Sequence, residues 1–438
     1  MKSFFKKIIV AILKEESKMI LKKYHPRIIA VTGSVGKTST KDAIFAVLAQ
    51  SQHVRKSDKS FNSEIGLPLT ILGLQNAWSS PWRWVQNILD GLLLVLVTTD
   101  YPKWLVLEVG ADRPGDIMSL ASWLEVDVAV ITRLPDVPVH VEFFASPEDV
   151  VREKVSLINT LKKDGTLVVY ADDQRTVMLS EKAAHRGVHM VTFGLSSAAE
   201  VRGEDFKALF QSDKKTASTW PIGVCATVAL TEVSVPVQIL GVLGKHAFLP
   251  VLAAAAVGQT LGYHADDILK GLSMYESPKG RMRLLPGIKG TLLIDDTYNA
   301  SPAADEAALL SLSLLNPGVR KIAVLGDMLE LGRHSVDEHR KVGAIAAKHA
   351  DLLVTVGFRA REIAEGALSN GLADSAIFQF EDSDSAASEL KVMLREGDCV
   401  LIKGSQSIRT EKIVLELMAE PEKAKDLLVR QERDWKKR

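Results

Sequence analysis

The chain has 438 residues, which is enough for two or three domains with hydrophobic cores of their own. Its 54 basic and 54 acidic residues balance, so the total charge gives no indication of bulk nucleic-acid binding. Only Cys225 and Cys399 are present, far apart and without a neighbouring His, which argues against a disulfide scaffold or a zinc site and favours a reducing cytosol.

Residues 1 to about 24 are predicted to form one basic amphipathic helix, because apolar side chains recur at helical spacing among seven lysines. The apolar residues are Phe4, Phe5, Ile8, Ile9, Ile12, Leu13, Ile20 and Leu21, and the lysines are Lys2, Lys6, Lys7, Lys14, Lys18, Lys22 and Lys23. The apolar centre is too short for an export signal, and no apolar run in the chain reaches the roughly 18 residues of a membrane span. Two roles remain open for this helix: docking on the next domain, or lying on an anionic membrane surface.

The next segment joins a β-type apolar run, residues 28–32, to a helical pattern that reaches Leu48. The connecting loop consists of Gly33, Ser34, Val35, Gly36, Lys37, Thr38 and Ser39. The glycines let the backbone curl around an anion, Lys37 supplies a positive charge, and Thr38 supplies a hydroxyl for Mg²⁺. The loop is shorter than the generic G-x-x-x-x-G-K-[ST] pattern, because Val31 stands where the first glycine would be. We predict a phosphate loop that binds a nucleoside triphosphate.

Residues 78–104 contain an apolar stretch, residues 88–97, that is flanked by tryptophans. The tryptophans are Trp78, Trp82, Trp84 and Trp104. The stretch has about half the length of a membrane span. It therefore fits either a buried helix or a helix that lies in a membrane interface, where tryptophan is frequent.

Continuous apolar strands then alternate with helices, which indicates a parallel sheet covered on both faces. The predicted strands are 104–110, 127–132 and 166–170. Residues 200–240 carry short β-type runs without a long helix, so we expect a small antiparallel patch there. An Ala-rich helix from about 246 to 261 leads to a boundary near 278–281.

A second unit repeats the alternation of strand and helix, with strands predicted at 291–295, 321–325, 352–356 and 399–402. The predicted fold class is α/β, with a central P-loop domain built on a doubly wound, mostly parallel sheet with a small antiparallel patch, followed by a Rossmann-like α/β C-terminal domain. The predicted parts are an N-terminal helix (1–26), a central ATP-binding domain (27–279) and a C-terminal domain (280–438). The charged tail, 420–438, is expected to be a solvated helix.

Functional groups stand where several predicted strands of the first unit end. Lys37 and Thr38, Glu108, and the loop that carries His140 all follow such ends, which converge on one crevice in a doubly wound sheet. A hydroxyl, a carboxylate and an imidazole could hold Mg²⁺ there against ATP phosphates, because this cation is usually bound by one or two protein groups together with phosphate oxygens and water.

The order of motifs along the chain resembles the Mur ligase family, over residues 28 to about 418. The motifs are 32–38, 62–68, 107–112, 140–144 with Glu153 and Lys154, 280–281, 295–302, 325–332 with His339, and 403–405. The Asp-Asp-x-Tyr-Asn-Ala and Gly-Asp-Met-x-Glu-Leu-Gly runs are the discriminating ones. The resemblance is strongest to members that add D-alanyl-D-alanine to UDP-N-acetylmuramoyl-tripeptide, using ATP and passing through an acyl phosphate.

The resemblance implies a role for each motif residue. Lys37 would stabilise the transferring phosphoryl group, Thr38 and Glu108 would hold one Mg²⁺, and His140 would hold a second. Lys154 matches a lysine that is carbamylated in several members and that helps to hold the second ion. The catalytic residues would thus be Lys37, Glu108, His140 and Lys154, and the nucleotide would contact Gly33, Ser34, Gly36, Lys37, Thr38, Ser39, Arg281, Asp296, Tyr298 and Asn299. The two domains would close to exclude water.

The chain also departs from the family pattern. Only about 26 residues precede the first strand, where these relatives carry a domain that grips the UDP moiety, and Ala247, Ser301 and Gln406 replace residues common in the family. We therefore expect the N-terminal helix and segment 78–104 to pack together beside the acceptor entrance, where they would hold the muramoyl-peptide end or rest on the membrane. The expected protein is a cytoplasmic monomer, with peripheral membrane contact through the N-terminal helix at the inner face.

Two other functions remain open from the sequence. One is a related ligase with another acceptor, of the folylpolyglutamate synthase or MurT type, against which the runs at 295–302 and 326–332 argue. The other is an ATP-binding partner protein without ligase activity, against which the retained Glu108, His140 and Lys154 argue.

Overall fold

A computed structural model describes residues 2–58, 61–78, 80–212, 219–432 and 435. The first unit contains α1 (Lys2–Tyr24), β1 (Arg27–Thr32), α2 (Lys37–Leu48), β2 (Val54–Lys56), α3 (Gly66–Leu72), α4 (Pro81–Leu96), β3 (Trp104–Glu108), α5 (Asp116–Leu120), β4 (Val126–Ile131), α6 (Pro147–Val155), β5 (Leu161–Tyr170), α7 (Thr176–Arg186), β6 (His189–Gly194), β7 (Val201–Ser212), β8 (Thr219–Ala229), β9 (Ser234–Leu240), α8 (Leu249–Thr260) and α9 (Ala265–Ser273). The second unit contains β10 (Arg283–Pro286), β11 (Leu292–Asp296), α10 (Pro302–Ser311), β12 (Lys321–Gly326), α11 (Ser335–His349), β13 (Leu352–Val356), α12 (Arg361–Ser369), β14 (Ile377–Phe380), α13 (Ser383–Met393), β15 (Cys399–Lys403), α14 (Glu411–Leu417) and α15 (Ala424–Leu427).

The strands form two sheets, in the orders β2-β3-β1-β4-β5-β6-β7-β8-β9 and β10-β11-β15-β12-β13-β14. In the first sheet, every neighbouring pair along the order from β2 to β7 is parallel, and the last three strands, β7, β8 and β9, pair antiparallel. In the second sheet, β10 and β11 pair antiparallel, and every neighbouring pair along the order from β11 to β14 is parallel. Alternate residues of β1 belong to hydrophobic cores on opposite faces of the first sheet. Ile29 and Val31 pack under α2 and α8, while Ile28 and Ala30 pack on the other face. This two-sided burial explains the continuous apolar runs, and the predicted fold class is confirmed.

Four strands escaped the sequence analysis. The strands β2, β10 and β14 have only three or four residues each, and β10 pairs antiparallel at the edge of the second sheet, so none gives a long apolar run. The fourth, β6, is short and interrupts its apolar residues with His189 and Thr192, and it follows a charged helix. The predicted antiparallel patch is present but is larger than expected, because β7 and β8 have 12 and 11 residues and continue the main sheet.

Helix α1 packs on α3 and α4, with Leu13 and Ile20 fully buried. It runs parallel to α4, because Glu16 lies against Gly91 and Lys23 Nζ donates to the carbonyl of Val97 at the end of α4 (2.8 Å). A β-carbon on Gly91 would lie 2.2 Å from Glu16 Oε2, so a larger residue at this position would displace the Glu16 carboxyl group.

Helix α4 is not the buried helix that was one reading of residues 78–104. Only Asn87 and Gly91 of the helix are buried, and its apolar side chains are distributed over both sides. The spacing of the apolar residues predicted a helix, but this spacing does not determine which side of the helix packs against another element. Within the described ranges, no helix is both long enough and apolar enough to cross a membrane.

The two sheets are connected by backbone hydrogen bonds between residues 241–243 and 282–284. Leu243 N donates to Met282 O (3.2 Å), and Leu284 N donates to Gly241 O (2.9 Å). Between them the chain turns at Gly280, whose φ of 67° favours glycine.

The tail differs from the solvated helix expected over 420–438, of which residues 433, 434 and 436–438 lie outside the described part. Helix α15 has only four residues, and Arg430 is buried. Its guanidinium donates to Glu411 Oε2 (3.0 Å) and to the carbonyl oxygens of Thr297 (3.0 Å) and Tyr298. The tail is therefore part of the second unit's packing.

Candidate active site

The site forms where three neighbouring parallel strands end. Val31 of β1 pairs with Glu108 of β3 on one side and with Val130 of β4 on the other. The phosphate loop follows β1, Glu108 is the last residue of β3, and the segment that carries His140 follows β4. Parallel pairing thus brings the predicted groups to one edge of the sheet.

The phosphate loop has the backbone that its glycines predict. Gly33 (φ 139°) and Gly36 (φ 87°) adopt conformations that L side chains rarely take, and a β-carbon on Gly33 would lie 2.0 Å from Thr132 Oγ1. The loop is tied to the end of β4 because Ser34 N donates to Arg133 O (3.0 Å). Helix α2 begins directly at Lys37, so its first N–H groups and its dipole are available to an anion.

Lys37 sits on this loop and donates from Nζ to Gly33 O (3.0 Å). Burial lowers the pKa of Lys37, while the nearby Glu108 carboxylate opposes that shift and Arg281 adds to it. The lysine, the carboxylate and the arginine from the second unit therefore lie within electrostatic range of one another.

Glu108 is 1% exposed and is held in place by polar neighbours. Its backbone N donates to Ser57 Oγ (3.0 Å), and its Oε1 accepts from Asn62 Nδ2 (3.3 Å). Its Oε2 is buried without a hydrogen-bond partner among the described residues, and the closest cation, Lys41 Nζ, lies 3.9 Å away. A buried carboxylate oxygen without a hydrogen-bond partner suits a metal cation, because leaving it unpaired is costly.

Lys154 is also 1% exposed, and burial, together with the charge of Lys37, lowers its pKa from 10.5 to about 7. Its position depends on the preceding residue, Glu153, which accepts backbone hydrogen bonds from Gly115 (3.0 Å), Ile117 (2.6 Å) and Met118 (3.1 Å). Near neutral pH a large fraction of this amine is uncharged and thus nucleophilic.

His140 joins the two units. Its Nδ1 lies 2.5 Å from Glu330 Oε2 of the second unit, and its Nε2 lies 3.5 Å from Asp112 Oδ1. The backbone at His140 is left-handed (φ 71°), and Glu142 N donates to Glu330 O (3.3 Å) beside it. Across the described ranges, no three His, Cys, Asp or Glu side chains form a group that could hold a metal without further ligands. Thr38, the other predicted metal-binding residue, is buried at the start of α2.

The predicted nucleotide residues of the second unit are close to one another. The Arg281 guanidinium lies 4.1 Å from the centre of the Tyr298 ring, on which it stacks. Asp296 is buried, with Oδ2 2.7 Å from Lys403 Nζ and Oδ1 accepting from Met282 N (3.2 Å). Lys403 Nζ also donates to Asn299 O (2.8 Å). Asp296 thus anchors the segment that presents Arg281.

Two cavities border this region. One, of about 300 Å³, is lined by α1 together with residues 62–67 and 110–123, including Lys14 and Arg113. The other, of about 580 Å³, lies between the two units and is lined by residues 133–137 and 172–174 and by parts of α10 and α11.

Sequence reasoning assigned no role to several residues that the structure brings to the site. Asp112, Glu330 and Lys403 stand inside the motifs quoted above, so a signal was present, but their contacts are made across long stretches of chain. Arg430 gave no signal, because a basic residue in a charged tail looks like a solvated one.

Comparison with known proteins gives consistent results. Residues 85–258 match the Mur ligase middle domain, and residues 280–406 match the Mur ligase, glutamate ligase domain. The UDP-N-acetylmuramoyl-tripeptide--D-alanyl-D-alanine ligase of Bacillus subtilis is 32% identical over 410 residues, which is 93% of this chain and 79% of that protein. The crystal structure of MurF ligase from Thermotoga maritima in complex with ADP superimposes with a TM-score of 0.75 at 25% identity, over 94% of this chain and 84% of that one. MurF from Acinetobacter baumannii gives a TM-score of 0.74 at 23% identity, over 92% and 79% of the two chains, and supports the fold alone.

Proposed function

Because the chain belongs to the Mur ligase family, we propose that it is an ATP-dependent ligase that joins D-alanyl-D-alanine to UDP-N-acetylmuramoyl-tripeptide. The observation that carries this proposal is the Glu108 carboxylate, which is buried beside the phosphate loop, lies within electrostatic range of Lys37, and has one oxygen without a hydrogen-bond partner among the described residues. A buried carboxylate at this place suits the Mg²⁺ that accompanies ATP in phosphoryl transfer.

The reaction has two balanced steps. A carboxylate oxygen of the tripeptide attacks the γ-phosphorus of ATP, and the bond to the bridging oxygen breaks, so that ADP leaves with the electron pair. The amine of D-alanyl-D-alanine then attacks the acyl carbon, phosphate leaves, and the nitrogen loses a proton to give the amide. The negative charge at the transferring phosphoryl group is what the site has to stabilise.

Each group contributes to that stabilisation. Backbone N–H groups of Gly33, Gly36 and Ser39 would surround the phosphates, with the Ser34 side chain beside them, and Lys37 would place a cation at the γ-phosphate. In the second unit Arg281, stacked on Tyr298, would contact the nucleotide together with that ring, while Asp296 and Asn299 hold their segment through Lys403. Close fixed charges in a buried site are worth more than the same charges in water.

We propose that Thr38 and Glu108 hold one Mg²⁺ and that His140 and Lys154 hold a second. The Mg²⁺ ions would neutralise phosphate charge and polarise the phosphoryl oxygens. Glu108 Oε2, which has no hydrogen-bond partner among the residues that the structure describes, supports the first assignment. The lowered pKa of Lys154 supports carbamylation, since an uncharged amine can add CO₂ and become an anion suited to a cation.

The cavity beside α1 is our candidate for the acceptor entrance. It is lined by Asn62, which also contacts Glu108, and by charged groups of both signs, the cations Lys6, Lys14 and Arg113 and the carboxylates Glu64, Asp112 and Asp116, so it offers polar partners to a charged acceptor. The cavity between the units is then open to the incoming dipeptide.

We further propose that the chain divides after residue 279 into a central and a C-terminal domain, and that it works as a cytoplasmic monomer with peripheral membrane contact at its N-terminal helix. The free thiols Cys225 and Cys399 support a reducing compartment.

The test is to incubate the purified chain with ATP, Mg²⁺, UDP-N-acetylmuramoyl-tripeptide and D-alanyl-D-alanine, and to measure ADP release and the mass of the product. Parallel reactions with a folate acceptor or with other amino acids test whether the chain is instead a ligase with another acceptor. Lys37→Ala should abolish product formation without a change in thermal stability, and the exposed Lys163→Ala is its matched control. Product formed by Lys37→Ala at the normal rate would overturn the assignment of the loop.

A further inference from the structure

Arg430 is buried although it lies in a highly charged tail. It is 6% exposed, and its guanidinium donates to the carbonyl oxygens of Thr297 (3.0 Å) and Tyr298 and to Glu411 Oε2 (3.0 Å). Thr297 and Tyr298 directly follow β11, which ends at Asp296. Because a guanidinium is planar and donates in several fixed directions, this one side chain fixes two successive carbonyl groups of the loop after β11.

The tail itself is held firmly by the second unit. Leu428 is 1% exposed and belongs to the hydrophobic core on one face of the second sheet. The backbone at Arg430 is left-handed (φ 58°), a conformation that a residue with a side chain keeps only where its surroundings fix it. Its carboxylate partner, Glu411, is also buried and pairs with Arg409 as well (2.5 Å from Oε1 to Nε). Arg430 is therefore a fixed donor.

The tail also contacts the segment that leads into Arg281. Lys279 Nζ donates to the carbonyl of Lys425 (2.8 Å). At the next position the tail fills the space beside the backbone, because a β-carbon on Gly280 would lie 3.1 Å from Val429 Cγ1. Close packing at this glycine limits the positions that the backbone before Arg281 can take.

Both segments meet at the stacked pair, Arg281 and Tyr298. Tyr298 N donates to Gly280 O (3.1 Å), so the backbones of the two segments are joined directly beneath the pair. The Arg281 guanidinium lies 4.1 Å from the centre of the Tyr298 ring, and the Arg430 guanidinium lies 5.9 Å from the same centre. Both distances are within the range of attraction between a cation and an aromatic ring. The tail thus acts on the backbone of both residues and on the ring itself.

We propose that residues 424–430, which we name the tail clamp, position Arg281 and Tyr298 for the nucleotide, with Arg430 as the positioning residue. This inference rests on the proposed function in one respect, that these two side chains contact ATP. Side chains that are held in place before the ligand arrives lose less conformational freedom on binding, and the ligand binds more tightly for that reason. The clamp lies beyond residues 280–406, which match the glutamate ligase domain, so that match assigns it no role.

A merely structural role for Arg430 predicts a different result, and Arg320 provides the reference for it. The Arg320 guanidinium donates to Asp398 Oδ2 (2.6 Å) and to the carbonyl of Met393 (3.0 Å), which is the same combination of carboxylate and carbonyl. Arg320 and Asp398 precede β12 and β15, whereas Thr297 follows the end of β11. Because these strands are parallel, the two arginines stabilise opposite edges of the second sheet.

The test compares the wild type with Arg430→Met, Arg430→Lys and Arg320→Met by calorimetric titration with ADP and by the ligase assay. In Arg430→Met the buried Glu411 keeps Arg409 as its cation, so this variant should fold. We expect it to bind ADP about tenfold more weakly, and to show a raised KM for ATP with an unchanged KM for the UDP-linked acceptor. Arg430→Lys keeps a donor and should fall between the two. Arg320→Met should lose thermal stability but bind ADP like the wild type.

Hydrogen exchange at the Tyr298 amide gives a second measurement, which needs no ligand. Exchange should be faster in Arg430→Met than in the wild type, and unchanged in Arg320→Met. Equal ADP affinity in the wild type and Arg430→Met would overturn the proposal, as would an equal loss of affinity in the two Met variants. A wild type that binds ADP but forms no amide would refute the proposed ligase reaction alone, because the clamp is judged by ADP affinity. A wild type that does not bind ADP would overturn the clamp as well.

Discussion

His140 Nδ1 lies 2.5 Å from Glu330 Oε2, and this contact joins the end of the main sheet to the second unit. The hydrogen bond and the charge of His140 lower the pKa of Glu330. A carboxylate whose pKa is lowered on folding stabilises the folded chain above its ordinary pKa, and that stabilisation is lost as the pH falls through the lowered value.

We predict that Glu330→Gln lowers the free energy of unfolding at pH 7 by less than about 1 kcal/mol, because the carboxylate is partly exposed to water. The difference from the wild type should begin to shrink as the pH falls below the ordinary pKa of the group, 4.5, and should disappear below the lowered pKa of the folded chain, where the carboxyl group is protonated. The ligase rate should fall by about tenfold, since His140 loses its orienting partner. Denaturant titrations at several pH values and product assays measure both effects, with the exposed neighbour Glu142→Gln as control. A rate equal to that of the wild type would contradict the role given to this contact.

Lys154 should act as a carbamate. We predict that Lys154→Ala loses about a hundredfold or more of the ligase rate, and that short carboxylates such as acetate restore part of it by replacing the missing anion. Lys37→Ala is the matched control, because it removes a cation and should not respond to carboxylates. A carbamate signal in the NMR spectrum of the wild type, labelled with ¹³C bicarbonate, should be absent from Lys154→Ala. If the wild type shows no such signal at neutral pH, the assignment fails.

Glu16 should make stability depend on pH. Burial between α1 and α4 raises its pKa from 4.5 to about 7, and its Oε2 has no hydrogen-bond partner among the described residues. Between those two pH values the folded chain keeps a proton that the unfolded chain releases, so the free energy of unfolding falls as the pH rises.

We therefore predict that Glu16→Gln is more stable than the wild type at pH 8, by about 1 to 3 kcal/mol, and that this advantage shrinks towards pH 5. Urea denaturation at pH 5, 6, 7 and 8 measures the difference. The exposed neighbour Glu15→Gln should follow the wild-type curve. If the free energy of unfolding changes with pH in the same way for Glu16→Gln and the wild type, the buried carboxyl group is not the cause of the pH dependence.

The two units should move relative to each other during the reaction. Since His140 and Glu330 already touch, the structure corresponds to an arrangement in which the units are close. We predict that the ligand-free chain also populates wider arrangements, and that a non-hydrolysable ATP analogue with the acceptor reduces the radius of gyration. Small-angle X-ray scattering with and without these ligands measures the change, and identical profiles would argue against closure.

The sequence predicted the structure best where a single stretch of chain determines the local conformation. The turn at Gly33 and Gly36, the helix that starts at Lys37 and the carboxylate at the end of β3 follow from local spacing and from the rule that parallel strands end together. The partners of these groups did not follow, because Glu330 and Arg430 reach their contacts only after the second unit has folded.

Helix α4 marks the same limit. Its period predicted a helix, but whether that helix is buried depends on its neighbours, and α1 packs against one side of it only. A single sequence gives the amphipathic character of a segment and leaves open what lies on each side of it.

The strand-like hydrogen bonds between residues 241–243 and 282–284 have a kinetic consequence. If the units rotate about this connection, each atom travels in proportion to its distance from the axis. Arg281, adjacent to Met282, then moves little, whereas Glu330, which does not belong to this connection, moves farther. A nucleotide held by Arg281 can therefore load while the units are apart, and His140 meets its carboxylate partner only at the end of the swing. The chain would thus take up ATP before it commits to the acceptor.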